Sequence, residues 1–505
     1  MPVQPLKNNL APPQTWPDPL GDPMYVKSPG LLWSYTEISQ AIKGHWLSDP
    51  DPSSVMTGVT YLFRRIRSGD LVFQQNNAHW SGRFKVRPAR SYFDAGASAL
   101  ITSDATHLPE PGMNVYKVDN TFKALLQLGR YARRRFTGTV MAITGSAGKS
   151  TTKEMVRSML GRKFPTVASR GNFNHCQGVA LSLAQTPPSM ACAIYEVGVG
   201  NPKRTARRVG MVCPDFALIT DIFYDHLKYY DTIEAYADQK SMIFDTLKAG
   251  GVAMLNRDSA FYDRLAMNLV QRNISNVLTF GEHAEADIKL LSYELNEWGS
   301  EVNVGDGDGA FTFKVSVPGR HMVINAVAAL TMIKSSGLDW REFAPYLVDY
   351  QPINQRTERF NVALNEDESF VFIDDCFSAN SGSMQAGLDM LTLLNVVEPS
   401  KKILVLGEML SLGKFSPSQH EALLPFIMKQ SQCLIYLFGK EMRSLYDLVP
   451  KSCHHIVYSV DLESLESEIF DRIGKDDLVY LKASDPDDAY LPFIARLKAL
   501  RKALG

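Results

Sequence analysis

Two glycines, a lysine and a serine set the first chemical question. In the run "MAITGSAGKSTTKEM", residues 141–155, Gly145, Gly148, Lys149 and Ser150 stand between an apolar stretch and a helix-forming one. A strand that ends in a glycine turn and enters a helix points backbone N–H groups and the positive helix end at an anion. Lysine there neutralises phosphate charge, and a serine hydroxyl can ligate Mg²⁺. The common loop reads G-x-x-x-x-G-K-[ST], and here Ile143 stands where its first glycine would be. The reading is nucleotide binding through a shortened loop.

Three further positions could act on a phosphate held there. The apolar run "ACAIYEVG" delivers Glu196 to a strand's carboxyl end, just before a glycine turn, where an acidic metal ligand would face the phosphates. "ITDIFYDHLKYY" places Asp225 and His226 at the exit of another apolar strand. Taken alone, a histidine after a strand is usually structural. Lys240 falls in the stripe formed by Ile233, Ala237, Phe244 and Leu247. A lysine at an apolar helical position snorkels or pairs with a carboxylate, and from the helix alone that is the favoured reading; the alternative is a chemically modified amine.

These residues need a scaffold larger than one hydrophobic core. The chain has 505 residues, 45% hydrophobic and 21% charged, with a formal net charge of −1. Two to four domains are expected, with no general attraction to nucleic acid or anionic membrane. The cluster Arg130, Arg133, Arg134 and Arg135 reads as a solvated helix end. Six cysteines form no C-x-x-C pair, no signal-like segment opens the chain and no run of 18 apolar residues occurs, so a reduced cytoplasmic setting is expected.

The pattern predicts an extended lead-in over residues 1–25, which hold seven prolines, and a small α/β unit over 26–137. From 138 to 358, strands alternate with helices and imply a mostly parallel sheet. Short alternating runs around "GDGDG", residues 278–318, predict a mixed or antiparallel edge. A second alternating series fills 359–505, with helices predicted over 383–394 and 418–429 and at the C-terminal run. The fold class is α/β.

Together these motifs resemble the Mur ligase superfamily and, within it, the MurF branch, whose members join D-alanyl-D-alanine to a UDP-N-acetylmuramoyl tripeptide. "TGSAGKSTTKEM" resembles the family's short ATP loop, "GNFNHCQGVALSL" its Gly-Asn segment, "EVGVG" its glutamate strand end and "DHLKYY" its His-Leu turn. "YADQKSMIF" is similar to the segment whose lysine is carbamylated. "PGRHMVINAVAAL", "QRTERF", "IDDCFSANSGSM" and "LGEMLSLG" resemble its later signatures.

The resemblance implies a three-domain architecture: an N-terminal substrate-binding domain, a central P-loop ATPase domain and a C-terminal Rossmann-like domain. It implies an ATP-dependent ligase in which a carboxylate is phosphorylated and the acyl phosphate is attacked by an amine, releasing ADP and phosphate. ATP would be held by Thr144, Gly145, Ser146, Ala147, Gly148, Lys149, Ser150 and Thr151, with Asn172, Asn325, Arg356 and Asp375. Two Mg²⁺ sites are implied, one on Ser150 and Glu196 and the other on His226 and a CO2-derived carbamate of Lys240. Lys149, Glu196, His226, Lys240 and Arg356 would carry the catalysis.

Substrate contacts are implied for Arg64, Asn174, Asn380 and Lys482, and here the chain departs from the family. "YLFR" replaces the uridine-binding Thr-Asp-Ser-Arg type run and keeps only Arg64. Phe377, Ser378, Ala379 and Asn380 replace Tyr-Asn-Ala-Asn, and Lys482, Ala483, Ser484 and Asp485 replace Lys-Gly-Ser-Arg. His175 and Cys176 replace polar residues beside Asn174. An aspartate in place of an arginine disfavours an incoming carboxylate. The expectation is a MurF-like ligase with a modified or non-peptidoglycan substrate, a genuine MurF being the alternative. Its partners would be a small-molecule or nucleotide-sugar peptide carboxylate and an amino acid, dipeptide or other amine, acted on by a monomer. A P-loop kinase or a non-catalytic nucleotide-binding protein is the reading from another class.

Overall fold

A computed structural model describes residues 30–500 apart from 48, 51–55, 81–83, 105–109, 172, 353–354 and 486–488. The lead-in expected over 1–25 and the position Asn172 lie outside the described residues.

Three sheets follow one another along the chain. The first holds β1 (His45–Trp46), β2 (Gly58–Thr60), β3 (Asp70–Phe73), β4 (Ala97–Thr102) and β5 (Val115–Lys117), in the order β1-β5-β4-β3-β2. Strands β2 to β5 run parallel, and β1 closes the edge antiparallel to β5.

The second sheet positions the phosphate loop. Its strands are β6 (Thr139–Thr144), β7 (Thr166–Ala168), β8 (Cys192–Glu196), β9 (Phe216–Ile219), β10 (Val252–Asn256), β11 (Val277–Gly281), β12 (Ile288–Asn296), β13 (Gly299–Asp306) and β14 (Gly309–Val315). Their order is β14-β13-β12-β11-β10-β9-β6-β8-β7. β8 is buried throughout, as is β6 beyond its first residue, which is why both read as continuous apolar runs rather than as alternation. β6 lies between β8 and β9, where the strand order reverses, so the loops leaving all three converge at one crevice. β12, β13 and β14 form the antiparallel edge that the "GDGDG" turn predicts, with Asp306 paired to Gly309.

The third sheet comprises β15 (Glu358–Ala363), β16 (Ser369–Asp374), β17 (Lys402–Gly407), β18 (Cys433–Phe438), β19 (Ile456–Ser459) and β20 (Leu478–Lys482), ordered β15-β16-β20-β17-β18-β19. All but β15 are parallel. The single helix expected over 418–429 is two, Ser416–Glu421 and Leu424–Met428. Pro425 has no N–H to give the carbonyl of Glu421, and its ring crowds that turn.

The arginine cluster is also corrected: Arg133 clamps the first unit to the second and Arg135 is paired within the first, so neither is a solvated charge. Arg133 is 7% exposed, and its guanidinium donates to the carbonyls of Val212 and Cys213, both at 2.6 Å. Arg135 pairs with Glu37 at 2.7 Å and lies 3.5 Å from the Trp33 ring centroid. Trp33 Nε1 in turn donates to Ala184 O at 2.8 Å, joining the first unit to the second.

Candidate functional site

The phosphate loop is held from two sides. Thr220, leaving β9, donates its hydroxyl to Ala147 O at 2.6 Å, and Ser146 N donates to Asp221 O at 2.8 Å. Gly145 and Gly148 have φ of 148° and 78°. A Cβ on Gly145 would sit 1.8 Å from Thr220 Oγ1, and one on Gly148 would sit 2.2 Å from Asn325 Oδ1. Both glycines are therefore demanded by conformation and by space. The helix Lys149–Leu160 starts here, and its first internal bond is Thr152 N to Gly148 O at 2.8 Å. The N–H groups before it have no acceptor within the helix. Lys149 Nζ folds back to Ser146 O at 3.1 Å, and Thr144 Oγ1 is buried without a partner among the described residues.

Glu196 lies at the end of β8, 1% exposed, with both oxygens engaged. Oε2 accepts from the Ser150 hydroxyl in a short contact, and Oε1 accepts from Asn174 Nδ2 at 2.7 Å. Burial alone would raise its pKa; Lys153, Lys149 and Arg356 outweigh burial and hold the carboxyl below its usual range. Ser150 and Glu196 thus form a hydroxyl and carboxylate pair next to the loop. Among the described residues no group of three His, Cys, Asp or Glu side chains could hold a metal by itself. A single carboxylate with one hydroxyl fits Mg²⁺, which keeps waters and takes phosphate oxygens for its other positions.

Lys240 contradicts the reading favoured from its helix alone. It is 1% exposed on the helix Ile233–Ser241, and Nζ donates to Gly145 O at 2.8 Å, with the Tyr236 ring centroid 4.4 Å away. It neither snorkels nor, among the described residues, forms an ion pair. Burial first, and the charge of Lys149 second, hold its pKa well below the lysine value, with Asp225 opposing. The amine is therefore placed directly behind the loop and biased toward its neutral form. His226 stands at the rim, its side chain 46% exposed, 3.7 Å from Asp225 and in a left-handed conformation with φ of 54°. Asp225 pulls the imidazole pKa up, but partial loss of water at the rim and the charges of Lys240, Lys149 and Lys228 bring it below its ordinary value.

The third unit closes over this crevice. Asn380 caps the helix Ser381–Leu391 through Ser383 N and donates Nδ2 to Ser146 O at 3.2 Å. Arg356 enters between the two units, its guanidinium carbon 3.8 Å from the Phe377 ring centroid and its charge felt by Glu196. Asp375 Oδ2 accepts from Tyr480 at 2.8 Å and from Lys482 Nζ at 2.7 Å, so Lys482 is engaged by an acid of its own unit. Asn325 lies beneath Gly148, 8% exposed. Arg64 is exposed on the first unit, on the turn Phe63–Arg65, and no bond joins it to the loop. Sequence reasoning missed Thr220, Lys153 and Ser169; only Lys153 left a signal, four residues after Lys149 on one helix.

Residues 143–333 match the family model described as the Mur ligase middle domain. A UDP-N-acetylmuramoyl-tripeptide–D-alanyl-D-alanine ligase from Rickettsia prowazekii is 28% identical over 456 residues, 90% of this chain and 97% of that one. MurF from Acinetobacter baumannii has the same fold, with TM-score 0.77 and 22% identity over 92% of this chain and 99% of that one. MurF from Thermotoga maritima, solved in complex with ADP, superimposes with TM-score 0.67 and 22% identity over 88% of this chain and 97% of that one. Residues 143–333 therefore carry a Mur ligase middle domain, and over nine-tenths of its length the chain is similar to ATP-dependent ligases of the MurF type.

Proposed function

We propose that the protein joins a UDP-N-acetylmuramoyl tripeptide to D-alanyl-D-alanine, using ATP and releasing ADP and phosphate. The observation that carries the reading is the set around the loop: Lys149, Ser150 with Glu196, and Lys240 behind Gly145. The Rickettsia relative supports the substrate pair, since the likeness spans 97% of its length, flanking units included.

A carboxylate is a poor electrophile because its leaving group would be oxide. Attack of its oxygen on the γ-phosphorus of ATP forms the acyl phosphate and expels ADP; attack of the amine nitrogen on the carbonyl carbon then expels phosphate and leaves the amide. The protein's part is positioning and charge neutralisation. The helix N-terminus and Lys149 would hold the phosphates, Arg356 approaches from the closing unit, and Asn325 and Asp375 would hold the nucleotide from its other side. Mg²⁺ on Ser150 and Glu196, and a second ion near His226, would offset phosphate charge.

Lys240 suits carbamylation: a neutral, buried amine would add to CO2, forming the N–C bond and releasing a proton, so that an uncharged group becomes an anion whose field reaches His226. With carbon-13 bicarbonate, one carbamate resonance is expected in the wild type and none in Lys240→Ala.

A second reading, a donor or amine other than the cell-wall pair, draws on Asp485 and on Lys482 being engaged by Asp375. Phosphate release with the muramoyl tripeptide and D-alanyl-D-alanine together, against each alone, separates the two. Turnover requiring both supports the first reading; none with this pair, but turnover with another acid and amine, supports the second.

A further inference from the structure

The buried charge that the mechanism above leaves without a task is Lys153. It is completely buried on the inner face of the helix Lys149–Leu160, one turn beyond Lys149. Its ammonium donates to Ser169 O at 2.5 Å and, more weakly, to Gly171 O at 3.4 Å, and it pairs with Glu154 at 3.1 Å. These three acceptors use the full donor capacity of the group. An ammonium is costly to desolvate, and an apolar side chain would fill the same space without that cost.

Those acceptors sit where the chain turns toward Asn174. Ser169 is itself tied to β8, its N donating to Ile194 O at 2.8 Å and its hydroxyl accepting from Glu196 N at 2.9 Å. From there the chain runs to Asn174, which donates to one oxygen of Glu196, while Ser150 on the lysine's own helix donates to the other. The path closes on itself through described bonds: helix, Ser150, Glu196, Ser169, Lys153, helix. Of the cations near Glu196, Lys153 does most to keep its carboxyl ionised against burial.

We infer that Lys153 is a positioning residue for the metal-binding pair: it locks the Ser169 turn to the phosphate-loop helix and so fixes both oxygens of Glu196. Its ammonium is engaged by acceptors of the protein itself. The inference rests on Glu196 serving Mg²⁺, and its test separates the two claims.

ADP affinity is measured by calorimetry with Mg²⁺ and in EDTA, for the wild type, Lys153→Met and Lys153→Gln. The wild type should bind ADP more tightly with Mg²⁺. Lys153→Met should lose about 10–100-fold of the Mg²⁺-dependent affinity, the usual cost of removing an outer support of a metal ligand, while the EDTA affinity changes by less than about twofold. Lys153→Gln, which keeps a donor without the charge, should fall between, and it carries the test if the methionine variant does not fold. An equal loss in both media would make Lys153 merely structural, and an unchanged Mg²⁺ gain would leave it without a role; either result overturns the inference. If the wild type gains nothing from Mg²⁺, the reading of Glu196 falls instead.

Discussion

A buried lysine without a carboxylate is an expensive residue, and Lys240 shows what the expense supports. Nζ has one carbonyl acceptor and an aromatic face. Replacing even a buried ion pair by well-packed apolar residues is commonly neutral or stabilising by about 1–4 kcal/mol, and this amine has fewer partners to lose. In bicarbonate-free buffer, Lys240→Met should raise stability in urea by about 1–3 kcal/mol while turnover falls by about 10³-fold or more. A destabilised variant, or one that still turns over, would remove Lys240 from the site. The burial of this residue was legible because it falls in an apolar stripe. Its lack of a carboxylate partner among the described residues was not legible, because a stripe says nothing about what the other elements bring. The same blindness produced the error over Arg133 and Arg135: a run of arginines is usually solvated, and only the carbonyls of Val212 and Cys213 and the Trp33 ring show otherwise.

At the scale of elements, the central strands were readable because β6 and β8 are buried and therefore continuously apolar. The split helix near Pro425 was misjudged because its flanks keep helical periodicity while the proline removes one bond from the ladder. The helix Arg320–Ser335 carries a measurable consequence of how the units pack. Burial depresses the His321 pKa to about 4, with Asp375 pulling it up and Lys482 opposing. The unfolded chain has the ordinary value, 6.5, so between these values the unfolded state binds more protons. The contribution is whole above pH 6.5 and is lost as pH falls toward 4. It amounts to on the order of 3 kcal/mol, most of it lost between pH 6.5 and 4. Urea unfolding of the wild type at pH 7.5 and 5.0, beside His321→Gln, should show a smaller loss on acidification in the variant; equal losses would deny the effect.

For the molecule as a whole, the crevice is built from two units at once. Asn380 reaches Ser146, Lys228 N donates to Ser411 O at 3.0 Å, and Arg356 stands between Phe377 and the charge of Glu196. An arrangement in which a nucleotide loop is closed over by a second α/β unit suits a reaction whose intermediate must be kept from water. The central claim is that the phosphate passes to a carboxylate before the amine displaces it. The most direct measurement is oxygen-18 transfer: the muramoyl tripeptide is labelled in its terminal carboxylate and incubated with ATP and D-alanyl-D-alanine, and the phosphate and product are weighed. The account predicts one labelled oxygen in each released phosphate and one left in the amide. Amide formed with unlabelled phosphate would contradict it.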